Sequence, residues 1–133
     1  MRRLLMCGAV MSLLGVAAGA FGAHGLRPIL TEQMMAVFET SVRYHLVHGP
    51  AILIAGLSGH FFRHRVFRWA AWSFILGIFI FSGSLYILSL SGIRSLGILT
   101  PFGGLAFLIG WGFLAWGYWS AQEMIKPQVP SSS

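Results

Sequence analysis

The sequence predicts an all-α membrane protein: a four-span transmembrane helical bundle with a short amphipathic helix in its first outer loop. Of 133 residues, 56% are hydrophobic and only 9% are charged, whereas a soluble domain carries about 25% charged residues. Charge is absent from four runs, 4–26, 44–62, 69–93 and 95–122. Each run is long enough to cross a hydrocarbon core of roughly 30 Å as helix. Soluble enzyme, disordered chain and disulfide scaffold are thereby excluded. The single cysteine, Cys7, lies inside the first run, where the residue is ordinarily a small buried apolar group.

Span 1 is expected at about residues 4–23. Arg2-Arg3, the apolar run and Ala18-Gly19-Ala20 imitate a secretory signal. A retained helix is favoured because Gly8, Gly15 and Gly22 recur every seven residues and Gly19 adds a small-xxx-small pair with Gly15. Such spacing leaves one helix face without side chains, and lipid-embedded helices associate through close packing of that kind. Glycine is also simply common in membrane helices, so one such seam alone carries little.

The loop that follows is patterned. Pro28 stops span 1, and Met34, Val37, Phe38 and Val42 recur at helical spacing opposite Glu32, Gln33, Glu39 and Arg43. Thr31 is the expected N-cap, and Glu39 with Arg43 forms an i,i+4 pair. This reads as an amphipathic helix at the outer interface, either separate or running on into span 2. Span 2, 44–62, is the least apolar, with His45, His48, Pro50 and His60. Pro50 cannot donate to the Leu46 carbonyl, which predicts a kink.

A short basic turn, Arg63-His64-Arg65-Val66-Phe67-Arg68, makes span 3, 69–91, an antiparallel neighbour of span 2. Thr100-Pro101 starts span 4, 100–119, with threonine as cap and proline at the first helical position. There Gly103, Gly110 and Gly117 repeat the seven-residue interval of span 1. The two seams predict tight helix contacts, between spans 1 and 4 or between protomers. Residues 123–133 read as a short disordered tail after a single membrane domain, 1–122.

The net charge of +6 reads as orientation rather than as nucleic-acid binding. Arg2, Arg3, Arg63, Arg65, Arg68 and Lys126 fall on one side, against Arg27, Arg43 and Arg94 on the other. Both termini are therefore expected in the cytoplasm, and Trp69, Trp72, Trp116 and Trp119 form the aromatic belt on that side.

Sorted by depth, His24, His48, Ser82, Tyr86 and Thr100 are expected near the outer end, with Gly103 and Gly104 at the N-terminus of span 4. Three readings compete for this cluster. The plain one is internal hydrogen bonding, since polar side chains in lipid turn toward each other. A ligand site is the second, because a helix N-terminus suits an anion or lipid headgroup. A bis-histidine haem or metal site joining His24 with His45 or His48 is the third, although no Cys-x-x-Cys-His or Glu-x-x-His pattern supports it. No resident metal or cofactor is expected on balance. No serine or cysteine has a visible base and orienting partner, and no span contains Asp, Glu, Lys or Arg to mark an ion path.

Three stretches carry a resemblance: Gly19-Ala-Phe-Gly-Ala-His-Gly25, Tyr44-His-x-x-His48, and Phe81-Ser-Gly-Ser-Leu-Tyr86 followed by Thr100-Pro-Phe-Gly-Gly104 and Gly110-Trp111. In this order they resemble the domain-of-unknown-function 423 family, small bacterial membrane proteins related to eukaryotic transmembrane protein 256. The resemblance covers about residues 1–119. It implies a four-helix protein of the bacterial inner membrane, and it implies no reaction. The motif maps onto His24, His48, Ser82, Tyr86, Thr100, Pro101, Gly103 and Gly104, while His45 and Pro50 depart from the family pattern.

The functional expectation is a non-enzymatic packing or accessory subunit of a membrane assembly, or a homo-oligomer. Its partners would be the lipid bilayer and another membrane protein or itself. The alternative is a ligand-, lipid- or haem/metal-binding protein using the outer-end cluster.

Overall fold

The structure, a computed structural model, describes residues 1–125, and every regular element in it is helical. Helix α1 (Arg2–Phe21) ends in a π-turn, Gly22–Leu26. Helix α2 spans Glu32–Phe61. A third rod consists of α3 (Arg65–Gly77), a second π-turn (Ile78–Ser82) and α4 (Gly83–Ser91) without interruption. A 3-10 turn, Arg94–Leu99, leads directly into α5 (Thr100–Ile125). The last residues of the expected tail, 126–133, lie outside the described residues, whereas 123–125 continue α5.

Three rods are long and apolar enough to cross a membrane: Arg2–Leu26, Arg65–Ser91 and Arg94–Ala121. At 30 residues α2 is the longest helix, yet too polar to join them. Its position explains that composition. It packs against α1 on one side and against α3 and α4 on the other, so Ser41, His45, His48 and Ser58 face protein. Polar groups are tolerated in such a helix because its neighbours supply their hydrogen bonds.

The amphipathic stretch expected in the first loop is not a separate short helix. Thr31 caps it as anticipated, with its hydroxyl accepting from the Met34 N–H at 3.3 Å. The helix then continues through Arg43 and Pro50 to Phe61. Glu39 pairs with Arg27 at 3.6 Å rather than with Arg43, because Arg27 descends from the end of the first π-turn to the same level.

Glycine sets the helix pairs, and the two seams do not meet each other. Gly8 lies against Leu53, Gly15 against Leu46, Gly19 against Val42 and Gly22 against Phe38, an unbroken antiparallel register between α1 and α2. Gly49 and Gly56 of α2 return the arrangement by admitting Ser12 and Leu5. On the other side Gly103, Gly110 and Gly117 admit Phe81, Phe74 and Phe67, and Gly77 admits Phe107. A methyl group on Gly110 would stand 2.6 Å from the Phe74 ring, and one on Gly117 2.7 Å from Phe67. The expected span 1–span 4 pairing is therefore replaced by α1 on α2 and α5 on α3. Short connections make sequence neighbours into spatial neighbours, so each seam finds its partner nearby.

Two apolar clusters result. The larger contains Ile52, Ala55, Phe67, Phe74, Phe107 and Leu114; the smaller contains Leu26, Met35, Phe38 and Val42. Between them, along α2, lies a belt of polar side chains.

Candidate functional site

The belt begins with two serines that are fully buried. The Ser41 hydroxyl donates to the Ser82 carbonyl at 2.6 Å, and the Ser82 hydroxyl donates to the Ser41 carbonyl at 3.0 Å. Ser82 is the last residue of the second π-turn, Ile78–Ser82, and its carbonyl lies within reach of α2. One turn along, His45 Nδ1 and the Tyr86 hydroxyl meet at 3.2 Å. His45 is only 6% exposed, and its Nε2 has no partner among the described residues.

His48 is held on every side. Its Nδ1 lies 2.7 Å from the Tyr44 carbonyl, and its Nε2 receives the Trp111 indole N–H at 3.1 Å. A carbonyl only accepts and an indole only donates, so the ring is neutral with its proton on Nδ1. It stacks on Phe107 with centroids 3.5 Å apart and planes 8° from parallel. A groove of about 590 Å³ opens beside it, lined by Tyr44, His48, Phe81, Phe107 and Trp111 among others.

The outer-end cluster read from the sequence thus divides. Ser82 and Tyr86 join the belt through Ser41 and His45, and His48 joins a separate aromatic group with Trp111. His24 is exposed on the first π-turn. In the α1–α2 register it falls level with Val37, eight residues from His45 and eleven from His48. At 1.5 Å per residue these offsets are about 12 and 16 Å, too far for one iron to span. The sequence placed these histidines at one depth because the charge at Glu39 and Arg43 resembled a membrane boundary. The register instead sets residues 38–57 of α2 beside 4–23 of α1, so His24 is level with Val37 and not with the start of the 44–62 run.

Thr100, Gly103 and Gly104 do not form an open helix end either. The 3-10 turn runs into α5, and the Thr100 hydroxyl donates back to the Gly97 carbonyl at 2.6 Å. Gly103 is covered by the Phe81 backbone, while Gly104 borders the groove. Among the described residues no three His, Cys, Asp or Glu side chains gather as metal ligands. Neither belt serine has a base, since each hydroxyl is committed to a carbonyl.

Ser41 was not singled out from the sequence, and Trp111 was quoted only for the family resemblance, although Ser41 completes the belt and Trp111 the hydrogen bond to His48. A signal for the packing was present: Phe67, Phe74 and Phe81 recur at the same interval as the glycines they fill.

Apolar rods joined by an internal polar belt define an α-helical membrane protein. The chain belongs to the family described as protein of unknown function (DUF423), whose model matches residues 18–104. It is 44% identical over 111 residues to a UPF0382 membrane protein of Staphylococcus haemolyticus, covering 84% of this chain and 90% of that protein. The UPF0382 membrane protein YwdK of Bacillus subtilis is 41% identical over 112 residues, covering 84% and 91%. A Staphylococcus saprophyticus relative of the same description is 39% identical over 117 residues, covering 88% and 97%. No solved structure matches.

Proposed function

We propose that this protein is a four-span, non-enzymatic component of the bacterial inner membrane, with both termini in the cytoplasm. In this reading it associates with another membrane protein or with a second copy of itself. The observation that carries it is the state of α1. Its glycine face is consumed by α2, yet Ala9, Leu13, Val16, Ala17 and Ala20 share a second face that is exposed along the helix. Alanines at such spacing permit close approach of another helix, and α1 packs chiefly against α2 alone. The fourth span is α2, whose Ser41, His45, His48 and Ser58 are buried against its neighbours. Orientation follows from Arg2, Arg3, Arg63, Arg65 and Arg68, which gather at one end.

Co-purification in a gentle detergent followed by native mass spectrometry tests the reading. A defined assembly, lost when Ala17 is replaced by a bulky residue, is the expected result. A strictly monomeric protein in both detergent and nanodiscs excludes it.

The groove beside His48 favours a second reading, in which it holds an apolar ligand or lipid tail. A molecule that co-purifies with the wild type and is lost in Gly104→Leu would select that alternative.

A further inference from the structure

At the end opposite Thr31, the start of α1, the end of α2 and the start of α3 border an open concavity of about 360 Å³. His60, Arg63, His64, Arg65 and Arg68 line it, and no acidic side chain does. We infer that this pocket is a binding site for phosphate groups, of the kind carried by anionic phospholipid headgroups or by soluble phosphates.

Three guanidinium groups in one concavity repel each other unless an anion lies between them. Among the described residues the only salt bridge is Arg27–Glu39, which is remote from this end, so no described carboxylate neutralises them. Guanidinium is suited to phosphate because its planar donors engage two oxygens at once. Among the described residues Arg63 is the one non-glycine with positive φ, at 53°, and this left-handed conformation lets the chain turn between α2 and α3 within a few residues. His64 Nδ1 accepts the Val66 N–H at 3.2 Å, which caps α3 and leaves its Nε2 as the proton-bearing nitrogen. Trp69 and Trp72 are exposed just beyond the turn, where side chains of this type lie at headgroup level. Basic pockets between helices at that level recognise phosphate headgroups. The orientation proposed above decides only which leaflet the pocket meets.

Native mass spectrometry of the full chain in neutral detergent, with phosphatidylglycerol and phosphatidylcholine supplied equally, provides the test. The wild type should retain phosphatidylglycerol preferentially. Arg63→Gln with Arg68→Gln should weaken that retention about thirtyfold, as expected for two cations at a membrane surface. Arg94→Gln, a cation of the opposite end, should leave it unchanged. Arg63→Gly separates binding from folding: it relieves the left-handed backbone, so it should weaken retention without lowering thermal stability. Pyrophosphate at constant ionic strength distinguishes the source. A rise in melting temperature that the double variant abolishes shows that the site takes soluble phosphate; no rise, with lipid preference intact, assigns it to headgroups. Equal retention of both lipids with no effect of pyrophosphate overturns the inference, as does equal loss in Arg94→Gln. Because the micelle exposes both ends of the bundle, this outcome is independent of orientation and of assembly state.

Discussion

The Phe74 ring occupies the space where Gly110 would carry a side chain; Phe67 repeats that relationship at Gly117, and one heptad the other way the Phe81 backbone closes on Gly103. Glycine on α5 and phenylalanine on α3 therefore form one interlocking row rather than two independent sequence features. Gly110→Leu should destabilise the bundle by roughly 3 kcal/mol, the upper range for overpacking, because the Phe74 ring it meets is fully buried. Gly112→Leu on the same helix meets nothing within 4 Å and should be tolerated. Thermal unfolding in detergent compares the two directly.

The exchange between Ser41 and Ser82 predicts coupling. Each serine donates to the other's carbonyl, so Ser41→Ala and Ser82→Ala should each cost about 0.6 kcal/mol, as interhelical hydrogen bonds in membranes do. A double-mutant cycle should give a non-additive term of comparable size. Strict additivity would mean that the two bonds act independently.

His48 and His24 should behave oppositely. His48→Ala removes a stacked ring, empties part of the core and leaves the Trp111 indole without its acceptor, for a loss of about 2–4 kcal/mol. His24→Ala changes an exposed side chain and should stay within about 0.5 kcal/mol. Added haem should produce no bis-histidine spectrum with the wild type. A Soret band that disappears in both variants would contradict the register that separates these residues.

That register can be tested by crosslinking. In a background where Cys7 is replaced by alanine, Gly19→Cys with Val42→Cys should form a disulfide within one chain, since the two positions touch across α1 and α2. Gly15→Cys with Gly110→Cys, which would join the two glycine seams near one depth, should not. Mobility on non-reducing gels distinguishes the outcomes.

The Arg27–Glu39 pair is a case where geometry predicts little. Its side chains are 70% and 50% exposed and 3.6 Å apart. Glu39→Gln should cost no more than about 0.5 kcal/mol, and less at high salt. A larger loss would show that the first π-turn depends on this contact.

Much of the architecture was legible because it follows from local quantities. An uncharged run marked each of the four rods, Thr31 marked the start of α2, and the short basic turn made α2 and the third rod neighbours. The glycine positions were legible too, but not their partners. A seam records that something must come close, and Gly15 carries no trace of whether Leu46 or a residue of α5 will fill it.

The candidate site was less legible, for a related reason. Ser82 and Tyr86 were recognised as polar groups within an apolar span, yet Ser41 lay in what the charges of Glu39 and Arg43 marked as loop. Hydropathy scores each residue against lipid. In α2 Ser41, His45, His48 and Ser58 face protein, and the charged residues sit in the first half of a helix that began earlier than its charge suggested.

By itself the sequence determined that this chain lies in a membrane as helices, and where backbones are free to approach. Both properties depend on side-chain polarity and volume, which the chain carries wherever it goes. Only the tertiary structure decided that α2 is the central helix, that each glycine seam closes on its neighbour, and that His24 stands apart from His45 and His48. Those outcomes depend on register, which is fixed only when the helices pack and groups such as the Ser41 hydroxyl and the Ser82 carbonyl meet across a contact.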